Sequence, residues 1–141
     1  MKICTSQEQS KKLLELGVDV NTADMFYADI LVDGNHKYNL HPLESYGFKT
    51  FGETKLKTSD HLSFIPAWSL TALMKLIPFQ IITKNERYGF RQWKGYNTQG
   101  ETYCFEYISS TNQRLYETYH WNNPLDAAFE MVCWLLAEKY I

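Results

Sequence analysis

The sequence predicts an α+β fold in which an antiparallel sheet, a four-strand meander plus an N-terminal hairpin, is packed with about three helices. Ten of the 141 residues are Tyr, eight Phe and four Trp, and aromatic side chains suit a pleated, half-buried surface. Turn-forming residues also recur between apolar runs of strand length. Three further segments begin with residues that cap helices. The length fits one domain, 1–141, able to bury roughly 68–70% of its unfolded surface without a disulfide or a metal.

The elements follow in order. Thr5-Ser6-Gln7-Glu8 reads as a capping box, with Thr5 at the cap and Glu8 three residues on. The helix should run to about Leu16 and end on Gly17 in the left-handed conformation. Leu13, Leu14 and Leu16 form its buried side, while Glu8, Lys11, Lys12 and Glu15 face water. Met25 to Val32 and His36 to Leu40 flank Asp33-Gly34-Asn35, a hairpin signal. A three-residue loop places Phe26, Ala28, Ile30 and Val32 opposite Pro42, Leu40, Tyr38 and His36. A two-residue Asp-Gly loop pairs Ile30 with Lys37 instead. The longer loop collects apolar residues on one face and is the register expected.

Residues 44–64 form an irregular connection with Gly47, Gly52, Lys49, Lys55 and Lys57, long enough to be functional or mobile, or to hide a short hairpin. Ile65 to Pro78 reads as a short buried helix, capped by Ser69 and stopped by Pro78. Phe79 to Trp121 reads as the meander, with turns at Asn85-Glu86, Asn97 to Gly100 and Ser110 to Gln113. The last helix opens at Asn123-Pro124-Leu125-Asp126, with Asn as cap, Pro at the first position and an acid in the first turn.

Those turns place side chains side by side. Gln80, Arg91, Glu106 and Glu117 form a charged row, with neighbours roughly 4.5–5.5 Å apart at Cβ. Ile82, Gly89, Ile108 and Leu115 flank it on one side, and Trp93, Cys104 and Tyr119 on the other. The opposite face carries Ile81, Phe90, Tyr107 and Tyr116, with Phe79, Gln92, Phe105 and Thr118 beside them, then Lys94, Tyr103 and His120. Both faces are apolar enough to predict cover on both, by helices on at least one.

Composition bounds the function. A net charge of −2 lacks the basic surplus of a protein held on phosphates along a nucleic acid. Arg87-Tyr88-Gly89-Phe90-Arg91 gives only a faint echo of an RNA-recognition strand. Met1 to Gly17 holds no apolar signal core, and no run reaches the ~18 apolar residues of a membrane span. Three dispersed cysteines, Cys4, Cys104 and Cys133, predict free thiols and a cytoplasmic location. His36, His41, His61 and His120 show no ligand spacing with one another or with cysteine, so neither a zinc site nor any cofactor is expected. No phosphate-binding loop, nucleophile elbow or dinucleotide fingerprint is present.

The charged row is the most chemical constellation. Two adjacent carboxylates can serve as acid and base, Glu106 and Glu117 being the candidates if the protein is an enzyme. Arg91 beside them can equally make the row a structural cross-strand network. Arg87, Arg91, Trp93, Glu106, Glu117 and Tyr119 are the candidate residues for a small anionic, nucleotide-like ligand.

Thr5 to Gly17 with Ser10-Lys11-Lys12-Leu13-Leu14-Glu15-Leu16-Gly17, Ile65 to Pro78, and Asn123 to Ile141 with Asn123-Pro124-Leu125-Asp126-Ala127-Ala128-Phe129-Glu130-Met131-Val132-Cys133-Trp134-Leu135-Leu136 together resemble small uncharacterised proteins carried by phages and mobile elements of gut bacteria. The order of elements is similar to that of phage ABA-sandwich proteins. The resemblance brings no catalytic motif. It implies a phage or mobile-element protein acting in a bacterial cytoplasm. The expectation is a non-enzymatic binding protein that captures a small anion or a host protein, with a role against host defence. A hydrolase using the paired carboxylates and a virion or assembly protein are the rival readings, and the aromatic faces are compatible with a homodimer.

Overall fold

A computed structural model describes residues 2–52 and 62–141, with backbone alone at 29–32, 36, 62 and 63. The class is α+β as predicted, but the strands form two antiparallel sheets. The chain divides into two compact units, residues 3–72 and residues 73–141 with Lys2.

The first unit opens with α1, Gln7–Glu15. Its capping box sits one residue later than expected: Ser6 Oγ accepts from the Gln9 amide at 3.1 Å, and Gln9 Oε1 accepts from the Ser6 amide at 3.0 Å. Thr5 is unavailable as a cap because its hydroxyl is buried against Ser10 and accepts from the Trp68 amide at 3.0 Å. The helix ends as predicted on Gly17, whose φ is +94°. The Gly17 and Val18 amides bond back to the Leu14 and Leu13 carbonyls, which is a Schellman end.

β1 (Met25–Val32) and β2 (Asn35–Pro42) form the hairpin, in the shorter-loop register rather than the expected one. Ile30 lies opposite Lys37 and Val32 opposite Asn35, leaving a two-residue Asp33-Gly34 loop. Both turn residues have positive φ, +51° and +79°, and such a turn matches the natural twist of paired strands. Local turn geometry therefore outweighs apolar alignment in this hairpin. Gly34→Val forces a β-branched residue into the left-handed region and is expected to cost about 1–2 kcal/mol, read as a lower midpoint in urea unfolding.

β3 (Leu62–Ala67) pairs with β1 and completes the sheet order β2-β1-β3. It takes Ile65, Pro66 and Ala67 from the predicted Ile65–Pro78 helix, which is corrected to α2, Leu70–Leu76. Pro66 is accommodated because β3 is an edge strand. Ser69 caps as expected, its hydroxyl accepting from the Ala72 amide at 3.2 Å, and Asp24 in turn accepts from the Ser69 amide at 2.8 Å. In the irregular connection, Leu43–Tyr46 makes a 3-10 turn and Phe48 and Phe51 are buried. Its Lys55 and Lys57 lie outside the described residues. Buried Phe26 sits in an aromatic cluster: its ring meets those of Phe48, Phe64 and the exposed Tyr46 with centroids 6.3, 5.2 and 5.6 Å away.

The second unit contains the predicted meander in the order β4-β5-β6-β7, namely Gln80–Ile82, Arg87–Asn97, Gly100–Ser109 and Arg114–Glu117. α3, Pro124–Ala137, has the predicted Asn123 cap, which accepts from the Asp126 amide at 2.9 Å. It packs on the Phe105 and Tyr107 face. Trp134 stacks on Tyr116 with centroids 4.4 Å apart and planes within 5°, while Tyr107 donates to the Pro78 carbonyl.

Three registers need correction. Gln80 faces Gly89 rather than Arg91, because the Thr83 hydroxyl takes the Asn85 and Glu86 amides and closes a four-residue loop. Ile108 faces Arg114 rather than Leu115, across a bulge. Tyr103 pairs with Trp121 rather than His120. The expected cover on both faces is also revised. α3 covers one face, whereas the arginines on the other are about half exposed, Arg91 at 54% and Arg114 at 52%.

Candidate functional site

Alternation along β6 sends Tyr107 towards α3 and Glu106 to the opposite face. Pairing then places Arg91 on one side of Glu106 and Glu117 on the other, as predicted. The Glu106 side chain is fully buried. Its Oε1 accepts from Arg91 Nε at 2.7 Å and is also gripped by Arg91 Nη2. Its Oε2 accepts from Arg114 Nε at 2.8 Å, while Arg114 Nη1 lies 3.2 Å from Glu117 Oε2. One carboxylate shut off from water thus fixes two guanidinium groups that reach into water.

Arg114 is absent from the row expected from sequence. The expected turn at Ser110 to Gln113 is not a plain one, because Asn112 adopts a φ of +63°. The Asn112 amide bonds to the Ser109 carbonyl and the Gln113 amide to the Ser109 hydroxyl. The left-handed Asn112 closes the loop so that Ser109 meets Gln113 and Ile108 meets Arg114. A bulge between the Ile108 and Tyr107 pairs then restores the expected register, and Arg114 is thereby set on the Glu106 face. Asn112, a residue type that tolerates positive φ, was the signal available in the sequence.

The remaining candidates divide. Arg87 lies on the same face of β5, but four residues along a strand is roughly 13 Å, too far for both guanidiniums to grip one phosphate. Trp93 is half-buried and meets the His120 ring at 4.7 Å, nearly perpendicular. Tyr119 does not join the row. Its amide donates to Glu130, its ring meets Trp121, and 69% of the residue is exposed. Glu130 pulls the chain out of register after Thr118, so His120 takes the place expected for Tyr119 and lies 3.3 Å from Glu117 Oε1.

Burial pushes the Glu117 carboxyl up, but the His120 hydrogen bond and the Arg114 charge outweigh it and leave the group below its ordinary range. A general acid needs the opposite shift. With both Glu106 oxygens engaged by arginine, the two carboxylates are arranged as anchors for cations.

Cys104 lies fully buried beside them, its Sγ 3.5 Å from Glu117 Oε1. Burial, partly offset by the Thr118 hydroxyl and reinforced by Glu117, pushes its thiol up to about 11. Below pH ~8.5 the thiol is protonated in both the folded and unfolded chains. Above that the unfolded chain loses its proton first, so stability is expected to fall between about pH 8.5 and 11. Urea unfolding at pH 7.5 and pH 10 should show a larger loss for the wild type than for Cys104→Ala.

An adjoining cleft of about 320 Å³ in this unit is lined by Asn97, Gln99, Glu101, His120, Trp121 and Asp126, among others. Among the described residues its wall carries two carboxylates, Glu101 and Asp126, paired with Lys94 and Lys2, and no Lys or Arg. The cleft thus offers an anion no guanidinium, whereas the arginine face offers two.

The chain matches no protein-family model, no curated protein and no solved structure. No helix among the described residues is long and apolar enough to cross a membrane.

Proposed function

We propose that the Arg91–Glu106–Arg114 face binds a small anionic ligand, of the phosphate- or carboxylate-bearing kind, without transforming it. One observation carries the reading. A guanidinium has five N–H donors, and the ion pairs use two on Arg91 and two on Arg114. Three therefore remain on each group, on side chains already held in place. Fixed planar forks suit oxyanions, because the ordering cost of two long side chains is met before the ligand arrives. The engaged carboxylates and the lowered Glu117 favour binding over paired-carboxylate hydrolysis. The setting we infer is a phage or mobile-element protein in a bacterial cytoplasm that sequesters a nucleotide-like ligand to counter a host defence, and it rests on the sequence resemblance.

A thermal-shift screen with inorganic phosphate, nucleotides and dicarboxylates tests this. A ligand at one hundred times its Kd should stabilise the protein by about 2.7 kcal/mol and be recovered intact. The shift should disappear in Arg91→Gln and Arg114→Gln. A wild type indifferent to every anion would sink the binding reading, and a cleaved ligand would sink its non-enzymatic half.

A further inference from the structure

We propose that Cys104, Glu117 and His120 form a zinc-binding site at the edge of this sheet. Cys104 Sγ, a Glu117 oxygen and a His120 ring nitrogen all lie within 4.8 Å of one another. Glu117 Oε1 stands 3.5 Å from the sulfur and 3.3 Å from His120 Nε2. Zinc bonds of about 2.3 Å to sulfur, 2.1 Å to oxygen and 2.0–2.1 Å to nitrogen, at tetrahedral angles, require S···O and O···N separations of about 3.6 and 3.4 Å. These two separations match that geometry, and the sulfur and the ring nitrogen, within 4.8 Å of each other, need only close to about 3.6 Å.

The donor set selects the metal. One thiolate, one imidazole and one carboxylate suit Zn²⁺ and exclude Mg²⁺ and Ca²⁺, which take oxygen ligands. The charges of thiolate and carboxylate balance the ion. Zinc replaces the thiol proton, so each ion bound forms a Zn–S bond, breaks the S–H bond and releases one proton to solvent. The outer groups are in place as well. Arg114 Nη1 steadies the other Glu117 oxygen at 3.2 Å, and Trp93 packs edge-on against the His120 ring, as partners that orient metal ligands do. Three protein ligands leave a fourth position open to water or to an anion. Burial is graded from a buried cysteine through a half-buried glutamate to an exposed histidine, so the ion would enter from the His120 side.

The site shares the Arg114–Glu117 contact with the anion face, but variants separate the two. His120→Ala removes a zinc ligand and leaves both arginines on Glu106, while Arg91→Gln does the reverse. The test is a Co²⁺ titration of reduced, chelator-stripped protein, followed by Zn²⁺. The wild type should develop thiolate-to-cobalt charge-transfer and tetrahedral visible bands that one equivalent of Zn²⁺ abolishes. It should also gain thermal stability with Zn²⁺ alone. Cys104→Ser should lose the charge-transfer band, and His120→Ala should weaken binding at least about 10-fold. His120→Ala keeps all three thiols and alters an exposed residue, so it decides the matter even if Cys104→Ser fails to fold. A wild type without these bands, or a His120→Ala protein that keeps them at unchanged affinity, overturns the proposal.

Discussion

Glu106→Gln should destabilise the protein by about 2–3 kcal/mol and abolish its anion binding. The amide has one acceptor oxygen where the carboxylate has two, and either orientation turns its NH₂ towards a guanidinium. A fully buried ion pair broken in this way costs about 3–5 kcal/mol. The smaller figure follows because Arg91 and Arg114 are half exposed and recover hydration when released. The same release frees their side chains, so the anion loses its prepared forks as well as a stable scaffold. Urea unfolding gives the first effect and a phosphate titration the second. An unchanged midpoint would mean that the buried carboxylate holds nothing in place.

Trp68→Ala should have the largest effect on stability alone, about 3–5 kcal/mol. Trp68 is fully buried, and removing an indole leaves a cavity that its neighbours close only in part. Its Nε1 also donates to the Thr22 hydroxyl at 2.9 Å, while its backbone amide and carbonyl bond to the Thr5 hydroxyl and Thr5 amide. The backbone bonds survive the substitution, so the expected loss is packing plus one indole hydrogen bond. Trp68→Phe restores most of the volume and separates the two parts. It should recover more than half of the loss, and calorimetric melting of the three proteins gives the comparison.

Legibility in the sequence depended on how much of each register was local. The Arg91, Glu106 and Glu117 alignment could be read because Asn97 to Gly100 makes a tight turn and the flanking strands alternate cleanly. Gln80 was misplaced by two residues because the Thr83 hydroxyl lengthens its loop, an interaction that leaves no trace in apolar patterning. Arg114 depended on the left-handed Asn112 and on a bulge that shifts only the residues next to the turn, since Tyr116 and Glu117 keep their expected partners. His120 depended on Glu130, a carboxylate thirteen residues beyond Glu117 that captures the Tyr119 amide. β3 was hidden for a different reason. The apolar run from Ile65 to Ile77 fits a strand or a helix equally well by period, and only Pro66 marks its start as an edge strand.

The anion site is tested most directly by the guanidinium nitrogens themselves. In ¹⁵N-arginine spectra, Arg91 and Arg114 Nε–H should appear as sharp, slowly exchanging signals in the free protein, because both donate to the buried Glu106. Titration with inorganic phosphate should then shift the Nη signals of these two residues more than their Nε signals and leave Arg87 unmoved. Broad, solvent-averaged Nε signals, or phosphate that moves neither arginine, would contradict the account.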